Sequence, residues 1–131
     1  MPTVRDIMTS NTVTISPASP IHVAVDLLLE KRISGLPVVD EAGRLVGILT
    51  EFALLAIAYD DRVSGDTVAQ HMTTDVLTVN ADDPVSKVAD LCIVHRVRRV
   101  PVLEGGRLVG LVAHRDVLQA MYKPQTVCAS R

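Results

Sequence analysis

Aromatic side chains are nearly missing from this chain. Its 131 residues include no Trp, one Phe and two Tyr. Proteins that hold single-stranded nucleic acid stack bases on aromatics and line a groove with cations. With aromatics at 2%, no long basic run and a formal charge of −2, the chain argues against nucleic acid as a partner. Cysteine is scarce too: Cys92 and Cys128 lie far apart with no C-x-x-C, which fits a reduced, cytoplasmic protein. Apolar runs are short. Leu45–Leu49 and Ala53–Ala58 are split by Thr50 and Glu51, and nothing nears the ~18 apolar residues of a membrane span. No positive segment followed by an apolar core opens the chain, so no signal peptide is expected. The four histidines, His22, His71, His95 and His114, have no metal-ligand spacing and no clustered acids. No nucleophile motif such as G-x-S-x-G and no P-loop lysine is present. The expectation is no catalytic residue, no metal and no resident cofactor: not an enzyme.

What is present is a repeat. Val4-Arg-Asp-Ile-Met-Thr9 returns as Val68-Ala-Gln-His-Met-Thr73, and Gly35-Leu-Pro-Val-Val39 as Arg99-Val-Pro-Val-Leu103. Arg44-Leu-Val-Gly47 returns unchanged as Arg107-Leu-Val-Gly110. The offset is 64 residues up to the prolines and 63 after them, so one turn is shorter by one residue. Two units are too few for a solenoid. At about 60 residues each copy is marginal alone, so the two are expected to fold as a pair. Hydrophobic residues make up 48% of the chain and mean hydropathy is +0.31. That excess points to an apolar face shared with a second copy, a homodimer.

Within the first copy Thr3 can cap a short helical turn with Val4, Ile7 and Met8 on its apolar face. Thr12–Ile15 alternates and reads as a strand. Ser19-Pro20 is a helix start, with Ser as cap and Pro at the first helical position. That helix should run to about Arg32 and stop at Gly35. Leu36–Val39 and Arg44–Leu49 form a hairpin around Asp40–Gly43. Thr50 opens a second helix to about Tyr59, and 60–66 is the linker. The second copy repeats this. Asp66 or Thr67 caps a turn ending at Met72, and Leu77–Val79 is a strand. A helix from Asp83-Pro84 runs to about Val97. Val100–Leu103 and Arg107–Val112 form a hairpin around Gly105-Gly106. A last helix runs from His114 to Tyr122, stopped by Pro124, with 123–131 a frayed tail. The expected fold is α/β (α+β), β-α-β-β-α twice, as repeats 1–59 and 67–122, with a three-stranded sheet in each copy. Cys92, on an otherwise apolar helix, reads as core, and Leu27–Leu29 and Val88–Val94 as core or dimer surface.

These landmarks resemble the cystathionine β-synthase (CBS) domain in tandem, the Bateman module. They are Asp6-Ile-Met-Thr9, Ile33-Ser-Gly-Leu-Pro-Val-Val-Asp40 and Gly43-Arg-Leu-Val-Gly-Ile-Leu-Thr50, then Val97-Arg-Arg-Val-Pro-Val102 and Gly106-Arg-Leu-Val-Gly-Leu-Val112. The likeness covers residues 1 to about 122. It implies two repeats packed about a pseudo-twofold axis and a regulatory, energy-sensing module. It also implies an adenosine ligand (AMP, ADP or ATP, or alternatively S-adenosylmethionine) held between the repeats. The binding state would be passed to a separate, unidentified effector protein. The rival is a structural or protein-interaction module whose clefts bind nothing.

The resemblance also implies site residues. In the family the second hairpin strand enters the last helix through Gly-x-x-Thr/Ser-x-x-Asp, the hydroxyl near phosphate at the helix start and the Asp on ribose hydroxyls. The first copy reads Gly47-Ile-Leu-Thr50-Glu-Phe-Ala53 and lacks the Asp; the second reads Gly110-Leu-Val-Ala113-His-Arg-Asp116 and lacks the hydroxyl. The better cleft would hold its ligand with Asp116, His114 and Arg115, completed by Thr12, Val13, Ile33, Ser34, Gly35 and Pro37. The weaker cleft would use Thr50, Val76, Val97, Arg98, Arg99 and Pro101, with Glu51 repelling phosphate. Read without the family, Asp116 offsets a helix dipole, Arg98 and Arg99 belong to a solvated face, and Thr50 is a helix cap.

Overall fold

A computed structural model describes residues 2–58, 60 and 65–122. Short-range chemistry explains most of its elements. The first helix, α1 (Val4–Ile7), begins where Thr3 N–H donates to Asp6 Oδ2 at 2.9 Å and the Thr3 hydroxyl donates to the same oxygen. A 3₁₀ turn, Val68–Gln70, begins the same way, with Thr67 N–H donating to Gln70 Oε1 at 2.7 Å. The chain continues through α2 (Ile21–Lys31), β1 (Gly35–Val39), β2 (Leu45–Thr50) and α3 (Glu51–Ile57). After the 3₁₀ turn come β3 (Val79–Asn80), α4 (Val85–His95), β4 (Arg99–Glu104), β5 (Arg107–Ala113) and α5 (His114–Met121). In the β1–β2 turn Asp40 Oδ1 accepts from Ala42 N–H and Arg44 N–H, both at 2.9 Å, while Gly43 takes φ +81°. Gly105 and Gly106 take φ +60° and +82° in the β4–β5 turn, a conformation that costs glycine little.

The fold is α+β, and it divides into two compact units. Unit 1 takes the chain up to Thr12, then Leu77–Glu104 and from Val109 onward; unit 2 takes Val13–Val76 with Gly105–Leu108. Sequence repeats and compact units therefore cut the chain differently: each repeat's opening segment lies in the unit built on the other repeat. In unit 1, Val4 N–H donates to Asp83 O, Arg5 N–H to Ala81 O, and Thr9 and Leu111 exchange two backbone bonds of 2.8 and 2.9 Å. In unit 2, Val68 N–H donates to Ser19 O, Ala69 N–H to Pro17 O, and Thr73 and Ile48 exchange two bonds of 2.8 Å. The repeated glycine of Leu-Val-Gly makes room for this. A Cβ on Gly110 would lie 2.8 Å from Thr9 O and 2.9 Å from Met8 Sδ; one on Gly47 would lie 2.8 Å from Met72 Sδ and 2.9 Å from Thr73 O.

Unit 1 carries a three-stranded sheet, β3-β4-β5, with β3 parallel to β4. Its core joins Val4, Val79, Val85, Val88, Val100, Val102, Val112 and Val117. Cys92 packs beside this core, half-buried, and burial pushes its thiol pKa up. On the unit's surface Arg5 bridges Glu104 at 2.9 Å and Asp82 at 3.1 Å. Unit 2 pairs β1 with β2 antiparallel over a core of Ile15, Ile21, Ala24, Leu28, Leu36, Val38, Leu49, Leu54 and Val68.

Several expectations change. Thr12–Ile15 is no strand; Ile15 alone forms a parallel bridge to Val38, so unit 2 has two named strands where three were expected. β3 covers Val79–Asn80 rather than Leu77–Val79. Ser19 does not cap α2 and Pro20 is not inside it: Pro20 is the N-cap, without a side-chain bond, and Ile21 N–H is satisfied by Asp66 O at 2.9 Å. Pro84 takes the same place before α4. Gly35 does not end α2. Arg32, at φ +55°, does, with Arg32 N–H and Ile33 N–H both returning to Leu28 O, a left-handed cap that usually falls to glycine. Arg96, at φ +57°, ends α4, which stops at His95 rather than Val97. Tyr59, most of the 60–66 linker, Pro124 and the 123–131 tail lie outside the described residues.

Candidate functional site

Each unit ties the start of its last helix to the residues just before its proline-bearing strand. In unit 1, His114 N–H donates to Arg98 O at 2.8 Å, and His114 Nδ1 lies 3.2 Å from the same oxygen. In unit 2, Glu51 N–H donates to Ser34 O at 2.9 Å. Gly35 stands opposite Thr50 in the β1–β2 register. So unit 1 brings Arg98 beside His114, Arg115 and Asp116, and unit 2 brings Ser34 and Gly35 beside Thr50 and Glu51.

The residue sets named for the two ligand positions both divide over the units. Asp116, His114, Arg115 and Thr12 lie in unit 1, whereas Val13, Ile33, Ser34, Gly35 and Pro37 lie in unit 2. Thr50 and Val76 lie in unit 2, and Val97, Arg98, Arg99 and Pro101 in unit 1. Arg98, Arg99, His114 and Arg115 are exposed, Asp116 half-buried. Val97 packs against the unit 1 core, and Val13 and Ile33 against the unit 2 core. Pro37 and Pro101 are fully buried, and Pro37 O accepts from Ile15 N–H; these prolines shape strands rather than present side chains.

The helix starts carry complementary halves of one device. A capping box uses an N-cap hydroxyl to accept from the N3 amide and an N3 carboxylate or amide to accept from the N-cap amide. At α3, Thr50 Oγ1 accepts from Ala53 N–H at 3.2 Å, and Ala53 can return nothing. At α5, Asp116 Oδ2 accepts from Ala113 N–H at 3.1 Å, and Ala113 can return nothing. Asp116 thus uses one oxygen as a cap. The other has no bond among the described residues and can still accept from a ligand hydroxyl.

The sequence reading missed a groove of about 570 Å³ between α2 and α3 in unit 2. None of the ligand residues named above lines it. Its walls are apolar, with Asp26, Glu51 and Asp60 among the lining residues, a chemistry unsuited to phosphate. The only signal in the sequence was the excess of Leu, Ile and Phe on two helices. Among the described residues no three His, Cys, Asp or Glu side chains gather in a way that could hold a metal, and no helix is long and apolar enough to cross a membrane.

Comparison with known proteins places these features. The CBS domain family model matches residues 4–60 and 68–123. The chain is 30% identical to CBS domain-containing protein YhcV of Bacillus subtilis (strain 168), over 89% of this chain and 84% of that one. It spans 42%, 24% and 26% of other curated relatives that it matches. Among solved structures it resembles CBSX2 of Arabidopsis thaliana, determined with AMP, at TM-score 0.81 and 31% identity, covering 90% of this chain and 94% of that one. It also resembles the CBS domain pair of MJ0100, determined with 5′-methylthioadenosine and S-adenosylmethionine, at TM-score 0.78 and 30% identity, covering 92% and 95%. With two matched domains, their hairpins and their helix starts all in order, the chain belongs to the CBS domain family as a tandem pair.

Proposed function

We propose that this chain is a regulatory module that binds an adenosine ligand and passes its binding state to a separate effector protein. One observation carries the reading. At the start of α5 the exposed His114 and Arg115 side chains accompany Asp116, which keeps an acceptor oxygen available beyond its cap. A guanidinium suits phosphate and a carboxylate suits vicinal ribose hydroxyls. The relatives support the class of ligand: CBSX2 was solved with AMP, and the MJ0100 pair with 5′-methylthioadenosine and S-adenosylmethionine. Thr12, Val13, Ile33, Ser34, Gly35 and Pro37 complete the preferred position. Thr50, Val76, Val97, Arg98, Arg99 and Pro101 form a weaker one, because Ala53 offers the ribose nothing and Glu51 brings the wrong charge.

The module binds and does not turn over, since neither a P-loop lysine nor a placed carboxylate pair is in the sequence. It works as a homodimer, the state that covers its exposed apolar helix faces. Thermal unfolding with AMP, ATP and S-adenosylmethionine tests the ligand reading. A ligand that binds only the folded chain raises Tm when its concentration is well above Kd. No shift with any of the three at millimolar concentration overturns sensing and favours the protein-interaction reading. That second reading draws support from Thr50 and Asp116, both of which already serve as helix caps.

A further inference from the structure

Each unit seats one methionine sulfur against a glycine. In unit 1 a Cβ on Gly110 would lie 2.9 Å from Met8 Sδ and 3.2 Å from Met8 Cγ; in unit 2 one on Gly47 would lie 2.8 Å from Met72 Sδ and 3.0 Å from Met72 Cγ. Met8 packs on the unit 1 core and Met72 on the unit 2 core. Both side chains are nevertheless only half-buried, and the residues that follow them, Thr9 and Thr73, are exposed. A small oxidant can reach both sulfurs from solvent. The surroundings offer little to a new oxygen there. Met8 N–H already donates to Val4 O, and the Thr9 and Leu111 N–H groups donate to each other's carbonyls. Met72 N–H donates to Val68 O, and the Thr73 and Ile48 N–H groups are exchanged in the same way. The cores on which the two sulfurs pack are apolar throughout.

We propose that Met8 and Met72 are paired modification sites, at which oxidation to the sulfoxide releases the opening segment of each repeat from the strand it pairs with. The oxidant is a peroxide. The thioether sulfur lone pair attacks one peroxide oxygen and the O–O bond breaks. The departing hydroxide takes the proton left on the transferred oxygen, giving sulfoxide and water. Sulfur loses two electrons and the peroxide gains them. The product is polar where the thioether was apolar. Held in place, the new oxygen is an acceptor against an apolar core whose neighbouring N–H groups are already spoken for, which is costly. Turning the sulfur out to water relieves that cost but empties the place over the glycine. The two-bond pairing of Thr9 with Leu111, or of Thr73 with Ile48, then loses the packing that supports it. Met121, 54% exposed on α5, supplies an internal control.

Hydrogen peroxide applied to the whole chain tests this, with peptide mass spectrometry locating the added oxygen and hydrogen exchange reading the backbone. Met121 should oxidise first and leave exchange unchanged. Oxidation at Met8 should then speed exchange at the Thr9 and Leu111 amides, and oxidation at Met72 at the Thr73 and Ile48 amides. Each should quicken about tenfold or more, the scale of an unpaired buried polar atom. Met8→Leu and Met72→Leu conserve volume, so each should keep its own segment protected in peroxide. Met8→Ile or Met72→Ile replaces a leucine variant that circular dichroism shows to be misfolded. Cys92 and Cys128 remain in all these variants, so loosening that persists in them belongs to thiol chemistry and overturns the proposal. Oxidation of Met8 and Met72 that leaves the four amides as protected as before also overturns it. So does oxidation of either only after the whole chain has unfolded.

Discussion

At the start of α3 a hydroxyl, Thr50 Oγ1, accepts from Ala53 N–H; at the start of α5 a carboxylate, Asp116 Oδ2, accepts from Ala113 N–H. The two units otherwise follow one plan. Both open their last helix with a bond to the segment before the proline-bearing strand, end their long helix on a left-handed arginine, and receive an opening segment over a glycine. The difference teaches that incomplete copies of one motif need not be equally incomplete in function. Either half of a capping box holds a helix start, but only the half in unit 1 leaves a carboxylate oxygen with no bond among the described residues.

The largest expected effect breaks the comparison through that oxygen. A nucleotide titration should saturate near one site per chain. Asp116→Asn keeps a cap acceptor and loses the charge, so affinity should fall by about 10- to 150-fold, the value of a hydrogen bond to a charged group of roughly 1.5–3 kcal/mol. Thr50→Ala should leave affinity nearly unchanged. Two equal sites by calorimetry would end the asymmetry.

Next come the glycines. Gly47→Ala and Gly110→Ala should each cost about 1–3 kcal/mol by urea unfolding, because the new methyl meets a backbone carbonyl oxygen that cannot swing aside. Gly65, with nothing within 4 Å of its would-be Cβ, serves as a neutral control. A large gap between the two costs would show that one opening segment is held more firmly than the other.

Smaller effects follow from the caps. Thr50→Ala should cost about 1 kcal/mol, and Ala113→Thr, which completes the box at α5, should recover up to about 1 kcal/mol. If Ala113→Thr gains as much in the Asp116→Ala background, the two halves are independent.

The smallest effect is in acid, and it separates the units. Asp6 is held below the ordinary carboxylate pKa of 3.8, first by the Thr3 N–H, and Asp83 by the Asn80 N–H. Lowered native values mean that this stabilisation is complete above the ordinary pKa and is lost as pH falls through the native one. Both residues lie in unit 1. The matching positions in unit 2 are Gln70 and Ser19, which do not titrate. Residue-resolved hydrogen exchange near pH 3 should therefore show α1 loosening before the Val68–Gln70 turn, and Asp6→Gln should narrow the gap. Simultaneous loosening would argue against these caps as its cause.

Much of this fold was legible in advance because it is decided locally. The caps at Thr3 and Thr67, Asp40 in its turn and Gly105-Gly106 each act within four residues, so the letters carry the geometry. Thr50 was readable as a cap for the same reason. The start of α2 at Ser19-Pro20 was misread because it depends on a distant group. The N–H at the start of α2 is satisfied by Asp66 O, 45 residues away in sequence, so no capping side chain is needed at Ser19. The candidate ligand residues came from family likeness, and what the sequence did not reveal was that Asp116 already spends one oxygen on Ala113.

By itself, then, the sequence determined the twofold repeat, the order of the helices and hairpins, the tight turns and the family. Tertiary structure decided that Val4–Thr9 docks in the unit of the second repeat and Val68–Thr73 in that of the first. It also decided that Phe52 and Leu118 stay outside the cores. The physical reason is common to both. Backbone N–H···O bonds and apolar burial do not depend on which similar partner supplies them, so either repeat could have received either segment on paper. Both dockings need the close approach over Gly47 and Gly110, and since the two glycines are alike, which segment meets which glycine is fixed only in the folded chain.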